Sequence, residues 1–313
     1  MDLPVAGKLE LPMINEWDVY SGMRIGSYAR KQKIRLMHAH TAKAHSLGII
    51  AHRFCSARLI VTRRVGFPLK SGFISRWKYR KADHIIAISS FVRQHLLDSG
   101  IEAGKISIVH SGIDFNSEPK SAGNLRRELK IPDSAVILGT MGALTDQKDY
   151  PTLLNAFQRV ADEIPQAILL ILGEGSLRRE VEKMIMELKL YNKVKLMGYR
   201  KEVTDFLKLF DLYVQSSWNE GLCTSIIKAM HEGLPVISTD SGGPADLIDS
   251  GKNGILVPIR DSRILAEAIL EVIKDKKLMI KLGHNAAITA PEFSAEKMTE
   301  KTEQTYLKLL DYA

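Results

Sequence analysis

Cysteine is nearly absent from this chain. Cys55 and Cys223 are the two in 313 residues, too few for a disulfide framework or a four-ligand structural zinc site. That usage fits a reducing compartment. Long hydrophobic runs are missing as well: the stretch 167–173 is among the longest and is strand-sized, far short of the roughly 18–20 residues of a membrane span. The opening Met1-Asp2-Leu3-Pro4 lacks the basic and apolar segments of a signal peptide. The expectation is a cytoplasmic protein that meets a membrane, if at all, peripherally on its inner face. No Gly-Lys-Ser/Thr of a Walker loop occurs, and Gly173-Glu174-Gly175-Ser176 does not complete the Gly-x-Gly-x-x-Gly signature of dinucleotide binding. Fixed-period repeats and low-complexity segments are also lacking.

What is present can fold. Hydrophobic residues make up 45% of the chain and charged ones 26%, so real cores are expected and wholesale disorder is excluded. Length alone suggests two domains. The net charge of +8 is unevenly spread: residues 1–81 hold sixteen Lys and Arg against four Asp and Glu, a net +12, and the remainder carries −4. A basic N-terminal face implies an anionic partner or a merely solvated surface. Its cations Arg53, Arg58, Arg63, Arg64, Lys70, Arg76, Lys78, Arg80 and Lys81 interleave with Phe67, Phe73 and Trp77, a composition suited to anionic lipid head groups. No nucleic-acid-binding module accompanies them, so no nucleic-acid partner is expected.

Short apolar runs alternate with amphipathic stretches, the pattern of parallel βα units. Strands are expected at 34–40, 58–62, 84–89 and 106–110, with helices at 42–54 and 90–99, the latter opening on the capping residues Ser89-Ser90. A second set follows the polar stretch 120–129: strands at 135–141, 167–172, 194–197, 212–215, 235–239 and 254–257, and helices at 150–163, 176–190, 224–232, 262–274 and 278–290. Continuously apolar strands between helices imply sheets covered on both faces. The tail 295–312 places Met298, Thr302, Tyr306 and Leu309-Leu310 at helical spacing. The fold class is therefore α/β, two doubly wound Rossmann-like domains, whose ligands belong in a crevice at the carboxyl ends of the strands.

The loops after those strands carry the chemistry. Gln215-Ser216-Ser217-Trp218-Asn219-Glu220-Gly221-Leu222-Cys223-Thr224-Ser225 combines a carboxylate, a glycine and a helix start, whose free N–H groups favour an anion such as phosphate. A plain capping loop with Thr224 or Ser225 as cap is the simpler reading, but it needs neither Trp218 nor Glu220. Gly242-Gly243-Pro244 lets backbone approach a ligand, or makes an ordinary turn. Lys148 lies in the loop after the second set's first strand. His38 and His40 alternate at a strand end and share a face, but no third ligand is near in sequence, and metal binding is not expected.

Taken together, these loops resemble the donor domain of retaining family-4 glycosyltransferases of the GT-B fold. The likeness runs from about residue 135 to the C-terminus. It is carried by Ser216, Glu220-Gly221, Ala229-Met230 and Gly233-Leu234-Pro235-Val236-Ile237-Ser238-Thr239 with Gly242-Gly243. Gly142-Ala143-Leu144 with Lys148, the Gly173 turn, Gly198 and Gly254-Ile255-Leu256-Val257-Pro258 agree. In the N-terminal part, His38-Ala39-His40-Thr41, Ile86-Ala87-Ile88-Ser89 and Ser111-Gly112-Ile113-Asp114 agree too.

The resemblance implies transfer of a sugar from a nucleoside diphosphate to an acceptor hydroxyl with retention, as in lipopolysaccharide, surface polysaccharide or glycolipid synthesis. It implies no cofactor and no metal, a lysine and a helix dipole stabilising the departing diphosphate. It makes Lys148 and Glu220 catalytic, and places donor binding at Gly142, Gly173, Gly198, Tyr199, Val203, Gly221, Leu222, Cys223, Thr224, Ser225 and Lys228. His38, His40, Arg63 and Arg64 fall on the side of a lipid-linked or saccharide acceptor. The implied domains are 1–130 (acceptor side), 131–292 (donor side) and 293–313, a helix packing back toward the first.

The departures are specific. Lys228 stands eight residues after Glu220, where the family has a second glutamate that grips the ribose hydroxyls; Cys223 stands where glycine is common, and Ala143 for a frequent arginine. Arg63-Arg64 replace a histidine facing the sugar, and the family's first βαβ unit, with its glycine-rich loop, is expected to be missing. A catalytically impaired relative that binds a nucleotide, a sugar or a protein partner is the alternative these departures leave open.

Overall fold

In the computed structural model, residues 7–69, 73–115, 125–201 and 203–311 are described. Lys70, Tyr312 and the expected absence of a leader at Met1–Pro4 lie outside them, as does much of the polar stretch before 130. The chain divides into two compact units: Met1–His110 with Thr299–Ala313, and Ser111–Met298. The passage at Ser111 comes earlier in the chain than the boundary expected at 130/131.

Unit 1 alternates α1 (Val19–Lys31), β1 (Leu36–Ala39), α2 (Ala42–Ala51), β2 (Arg58–Arg63), α3 (Phe73–Lys81), β3 (His84–Ala87), α4 (Ser90–Asp98) and β4 (Ile106–Ile108). The strands form one parallel sheet in the order β1-β2-β3-β4. Local chemistry starts α1, α2 and α4. The Asp18 carboxylate accepts from the Ser21 N–H at 3.0 Å, Thr41 Oγ1 from Ala44 at 3.1 Å, and Ser89 Oγ from Val92 at 3.2 Å. Leu59, Ile60, Ile85 and Ile86 fill the sheet's centre at 2% exposure or less.

Helix α3 was not legible in the sequence, where its cations read as one basic surface. Two cations of the basic N-terminal segment are not on the surface. Arg63 and Lys78 are buried, each 7% exposed. Lys78 forms an ion pair with Glu16 and lies 5.6 Å over the Trp17 ring, and Arg63 donates to the Tyr79 hydroxyl at 2.9 Å. Arg58 pairs with Asp83 at 3.3 Å. Partners 16 to 62 residues away in sequence engage these charges, so the basic face is smaller than its composition suggests. Among the described residues, no helix is long and apolar enough to cross a membrane.

Unit 2 continues with α5 (Leu125–Glu128), β5 (Val136–Met141), α6 (Tyr150–Glu163), β6 (Ala167–Leu172), α7 (Arg178–Glu187), β7 (Val194–Gly198), α8 (Thr204–Leu207), β8 (Leu212–Gln215), α9 (Thr224–His231), β9 (Val236–Thr239), β10 (Ile255–Val257), α10 (Ser262–Lys274), α11 (Lys276–Thr289) and α12 (Ala295–Asp311). Its six strands are parallel in the order β10-β9-β8-β5-β6-β7. Helices α6 and α10 pack together over one face of this sheet. Leu153, Leu154 and Phe157 of α6 and Leu265, Ile269 and Val272 of α10 pack on Leu138, Leu169 and Ile171, all fully buried. Asp261 and Asp275 cap α10 and α11 by accepting two backbone N–H groups each. From Thr299 onward α12 groups with unit 1.

The strand order fixes where a ligand belongs. The chain runs outward from β5 through β6 and β7, then returns to the other side of β5 as β8. Between β5 and β8 the loops leave the sheet in opposite directions, opening a crevice at their carboxyl ends.

Candidate active site

The two loops that flank this switch point carry Lys148 and Glu220. After β5, residues Asp146–Lys148 make a 3₁₀ turn that ends on Asp149, whose left-handed backbone and carboxylate cap α6. After β8, the loop is pinned to that turn. Trp218 Nε1 donates to the Asp146 carbonyl at 2.9 Å, Trp218 N to the Gln147 carbonyl at 3.0 Å, and Ser216 Oγ to the Lys148 carbonyl at 2.8 Å. Arg260 covers the outer face of the Trp218 ring at 5.1 Å. So held, the Lys148 ammonium lies 2.5 Å from Glu220 Oε1, their side chains 18% and 9% exposed.

A buried chain of hydrogen bonds continues from Glu220. Ser217 Oγ donates to Glu220 Oε1 at 2.7 Å, Gln215 Nε2 to Ser217 Oγ at 2.6 Å, and Tyr213 Oη to Gln215 Oε1 at 2.9 Å. Tyr213, Gln215 and Ser217 are each at most 2% exposed. Their side chains follow the period of a strand, which is the signal that could have found them. Tyr150 reaches in from α6, its hydroxyl donating to the Gly142 carbonyl at 3.0 Å.

Electrostatics sort the charged groups from the neutral ones. Burial pushes the Cys223 thiol up to about 11, with the Glu220 charge adding to it. Burial likewise raises Tyr213 and Tyr150, Glu220 again adding at Tyr150. Burial works against the Lys148 ammonium, but Cys223, where it ionises at high pH, and the Glu220 carboxylate outweigh it and raise its pKa. Lys148 is thus a fixed cation at the carboxyl end of the sheet, while Cys223 is no thiolate nucleophile at neutral pH.

The predicted glycines line one floor. Gly142 N–H donates to the Leu172 carbonyl and Gly173 N–H to the Gly198 carbonyl, both at 2.9 Å, joining the ends of β5, β6 and β7. On the other side, Gly243 packs against Gly221 and Leu222, where a side chain would meet backbone at 2.5 Å. Ser241 Oγ is buried there with no hydrogen-bond partner in the structure, while the Ser241 carbonyl takes the Glu220 N–H at 2.9 Å.

Helix α9 starts at this spot. Its cap is Cys223 (φ 75°, ψ 74°), with no side-chain capping bond, so neither Thr224 nor Ser225 serves as cap. That left-handed conformation explains why glycine suits the position. Cys223→Gly is therefore expected to be about 1 kcal/mol more stable than Cys223→Ala, the reverse of the order inside a helix. Denaturant unfolding of the two variants checks it. Ser225 Oγ lies 3.2 Å from Cys223 Sγ and 3.5 Å from Gln215 Oε1.

Other expected donor residues lie apart from the Lys148–Glu220 pair. Lys228 is exposed on α9, beside a small cavity of about 40 Å³ shared with Thr204, His231, Glu232 and Phe115. Tyr199 is 77% exposed, and half-buried Val203 leads into α8.

Of the residues expected on the acceptor side, His38 has both ring nitrogens engaged, by Tyr306 Oη at 2.5 Å and Thr62 Oγ1 at 2.7 Å. Burial, then His40 and Arg64, lowers its pKa to about 4. The His40 ring lies 4.0 Å away, and burial foremost lowers its pKa too. Arg64 is exposed, in contrast to buried Arg63. His38 is thus occupied in clasping α12 to the sheet.

Glycosyl transferases group 1 match residues 121–289, and Glycosyltransferase Family 4 matches residues 4–117. The chain belongs to the glycosyl transferases group 1. It is similar to the lipopolysaccharide core biosynthesis glycosyltransferase LpsE of Rhizobium meliloti (strain 1021), 28% identical over 235 residues, covering 74% of this chain and 65% of LpsE. It is also similar to the UDP-Gal:alpha-D-GlcNAc-diphosphoundecaprenol alpha-1,3-galactosyltransferase of Escherichia coli, 22% identical over 310 residues, covering 94% and 80%. Among solved structures, Anabaena HepE in complex with UDP superposes with a TM-score of 0.82 at 23% identity, covering 92% of this chain and 82% of HepE. Both sheets and their parallel order accord with this GT-B architecture.

Proposed function

We propose that the chain is a glycosyltransferase that takes a sugar from a nucleoside-diphosphate donor and passes it, with retention, to a saccharide or lipid-linked acceptor hydroxyl. The observation that carries this reading is the Lys148–Glu220 pair at the switch point of unit 2, between a glycine floor and the start of α9. A diphosphate leaving group gains negative charge as its bond to the sugar breaks. A fixed ammonium and free helix N–H groups stabilise that charge without reorganising. Glu220, held by Ser217, offers its remaining acceptor capacity to sugar hydroxyls. The family matches and the similarity to named transferases support the same reading, with lipopolysaccharide or surface polysaccharide as the class of product and the inner face of the membrane as the place where a lipid-linked acceptor would be met.

Lys228 supports a second reading, an impaired relative that has lost its ribose carboxylate, and one titration separates the two. Lys228 shares the exposed face of α9 with Thr224, and helix side chains lean toward the N-terminus, so its charge adds to that of the helix start. Calorimetry with uridine, guanosine and adenosine diphosphates should show wild type binding one of them and Lys228→Glu binding it about tenfold or more weakly, the scale of one charge-assisted hydrogen bond. A tenfold gain in the variant would instead favour the impaired relative.

A further inference from the structure

Tyr213 and Gln215 are too deeply buried to touch a ligand, at 2% exposure or less, and the transfer chemistry above gives them no role. A phenol and an amide inside a sheet cost stability unless their donors and acceptors are met, whereas Phe and Met fill similar space without that cost. Here they are met in one direction only. At one end the Met141 N–H, which can only donate, lies 3.3 Å from Tyr213 Oη. The hydroxyl accepts it and turns its own proton to Gln215 Oε1 at 2.9 Å, closer than the Met141 carbonyl at 3.4 Å. Ser225 Oγ, 3.5 Å away, faces the same Oε1. At the other end the Glu220 carboxylate, paired with Lys148, can only accept. Ser217 Oγ therefore donates to Glu220 Oε1 and accepts from Gln215 Nε2. A donor-only group and an acceptor-only group are thus joined through one amide, which carries an acceptor and a donor side by side. Turning that amide over would offer Ser217 an acceptor and draw its proton away from Glu220.

We propose that Gln215, oriented by Tyr213, is a positioning residue for sugar transfer. It fixes the Ser217 proton on Glu220 Oε1 and so holds the carboxylate in the attitude that receives the sugar. No proton travels along this chain during the reaction, because each of its donors already points toward Glu220. Methionine at 215 would fill the strand equally well but could not transmit the direction set at Met141.

The inference rests on the reading of Glu220 as the acceptor of sugar hydroxyls, and calorimetry on the full chain separates the two. Wild type is titrated with uridine, guanosine and adenosine diphosphates, then with the glucose, galactose and N-acetylglucosamine esters of the one that binds. Gln215→Met should weaken the tightest sugar ester about tenfold while affinity for the free diphosphate stays within about twofold. Tyr213→Phe, which removes a single oxygen, should move the same ratio in the same direction by a smaller factor. In Glu220→Gln, adding Gln215→Met should bring no further loss of the sugar ester, since both act through one hydrogen bond. A merely structural role would weaken diphosphate and sugar ester alike. That outcome, or an unchanged ratio in Gln215→Met, would overturn the inference and leave Glu220 in its role. Should Gln215→Met fail to fold, the ratio in Tyr213→Phe decides. Equal affinity of Glu220→Gln and wild type for the sugar ester, or no binding of these nucleotides by wild type, would remove the transferase reading and the inference together.

Discussion

Lys148→Met is expected to lower affinity for a bound nucleoside diphosphate about tenfold to a hundredfold, and turnover of its sugar donor by roughly 10²–10³-fold. The larger effect on turnover follows from timing, since the ammonium gains most when the departing phosphate becomes a full anion. The same substitution strands Glu220. With its carboxylate 9% exposed and its lysine gone, the fold should lose about 3 kcal/mol. Stability and function are separable here through a second change. Lys148→Met/Glu220→Gln removes both charges, so denaturant unfolding should recover most of the lost stability while transfer stays as slow as in the single variant. If the double variant regained transfer, Lys148 would be a structural counter-ion and not a phosphate ligand. If it regained neither, the ion pair would not be the source of the loss.

The long-range outline of this site was legible in the sequence because loops after parallel strands inherit their position from the sheet. Lys148 and Glu220 are 72 residues apart, yet alternating strands and helices already require both loops at the same end of one sheet. Gly142, Gly173 and Gly198 were singled out by the family resemblance, since a short glycine turn is not specific by itself. What supports Glu220 was less legible. Tyr213 read as an ordinary member of an apolar strand and Gln215 only as the start of the loop after it, and their burial against Ser217 and the Met141 backbone turns them into a hydrogen-bond chain. Lys78 and Arg63 misled in the opposite sense. A cation in a basic segment is usually solvated, and nothing local announces that Glu16, Trp17 and Tyr79 draw these two inward. Helix α3 was hidden by its cations, and the cap at Cys223 by a side chain that tolerates left-handed backbone only at a cost. Periodicity reports which face of an element is apolar. It does not report which distant partner will neutralise a charge.

Gly173→Ala is expected to be among the most damaging single-methyl additions in unit 2, lowering stability by about 3 kcal/mol or more. Two penalties coincide. Gly173 has φ +149°, which side chains rarely adopt, and an added Cβ would lie 1.9 Å from the Gly142 carbonyl oxygen. That oxygen has no freedom to retreat, because it accepts the Tyr150 hydroxyl at 3.0 Å. The push is also relayed to the site. Gly142 itself leaves so little room beside the Lys148 side chain that a Cβ there would meet Cε at 2.9 Å. Displacing Gly142 must therefore move the lysine's aliphatic stem, and nucleoside diphosphate affinity should fall along with stability. Gly251→Ala is the control: its φ is +82°, but nothing lies within 4 Å of the added carbon. It should cost only about 1 kcal/mol and leave affinity unchanged. Thermal unfolding and nucleotide titration of the two variants side by side measure the difference. Equal losses in both would mean that the close approach of Gly173 to Gly142 contributes nothing beyond backbone conformation, and that the glycine floor does not hold Lys148 in place.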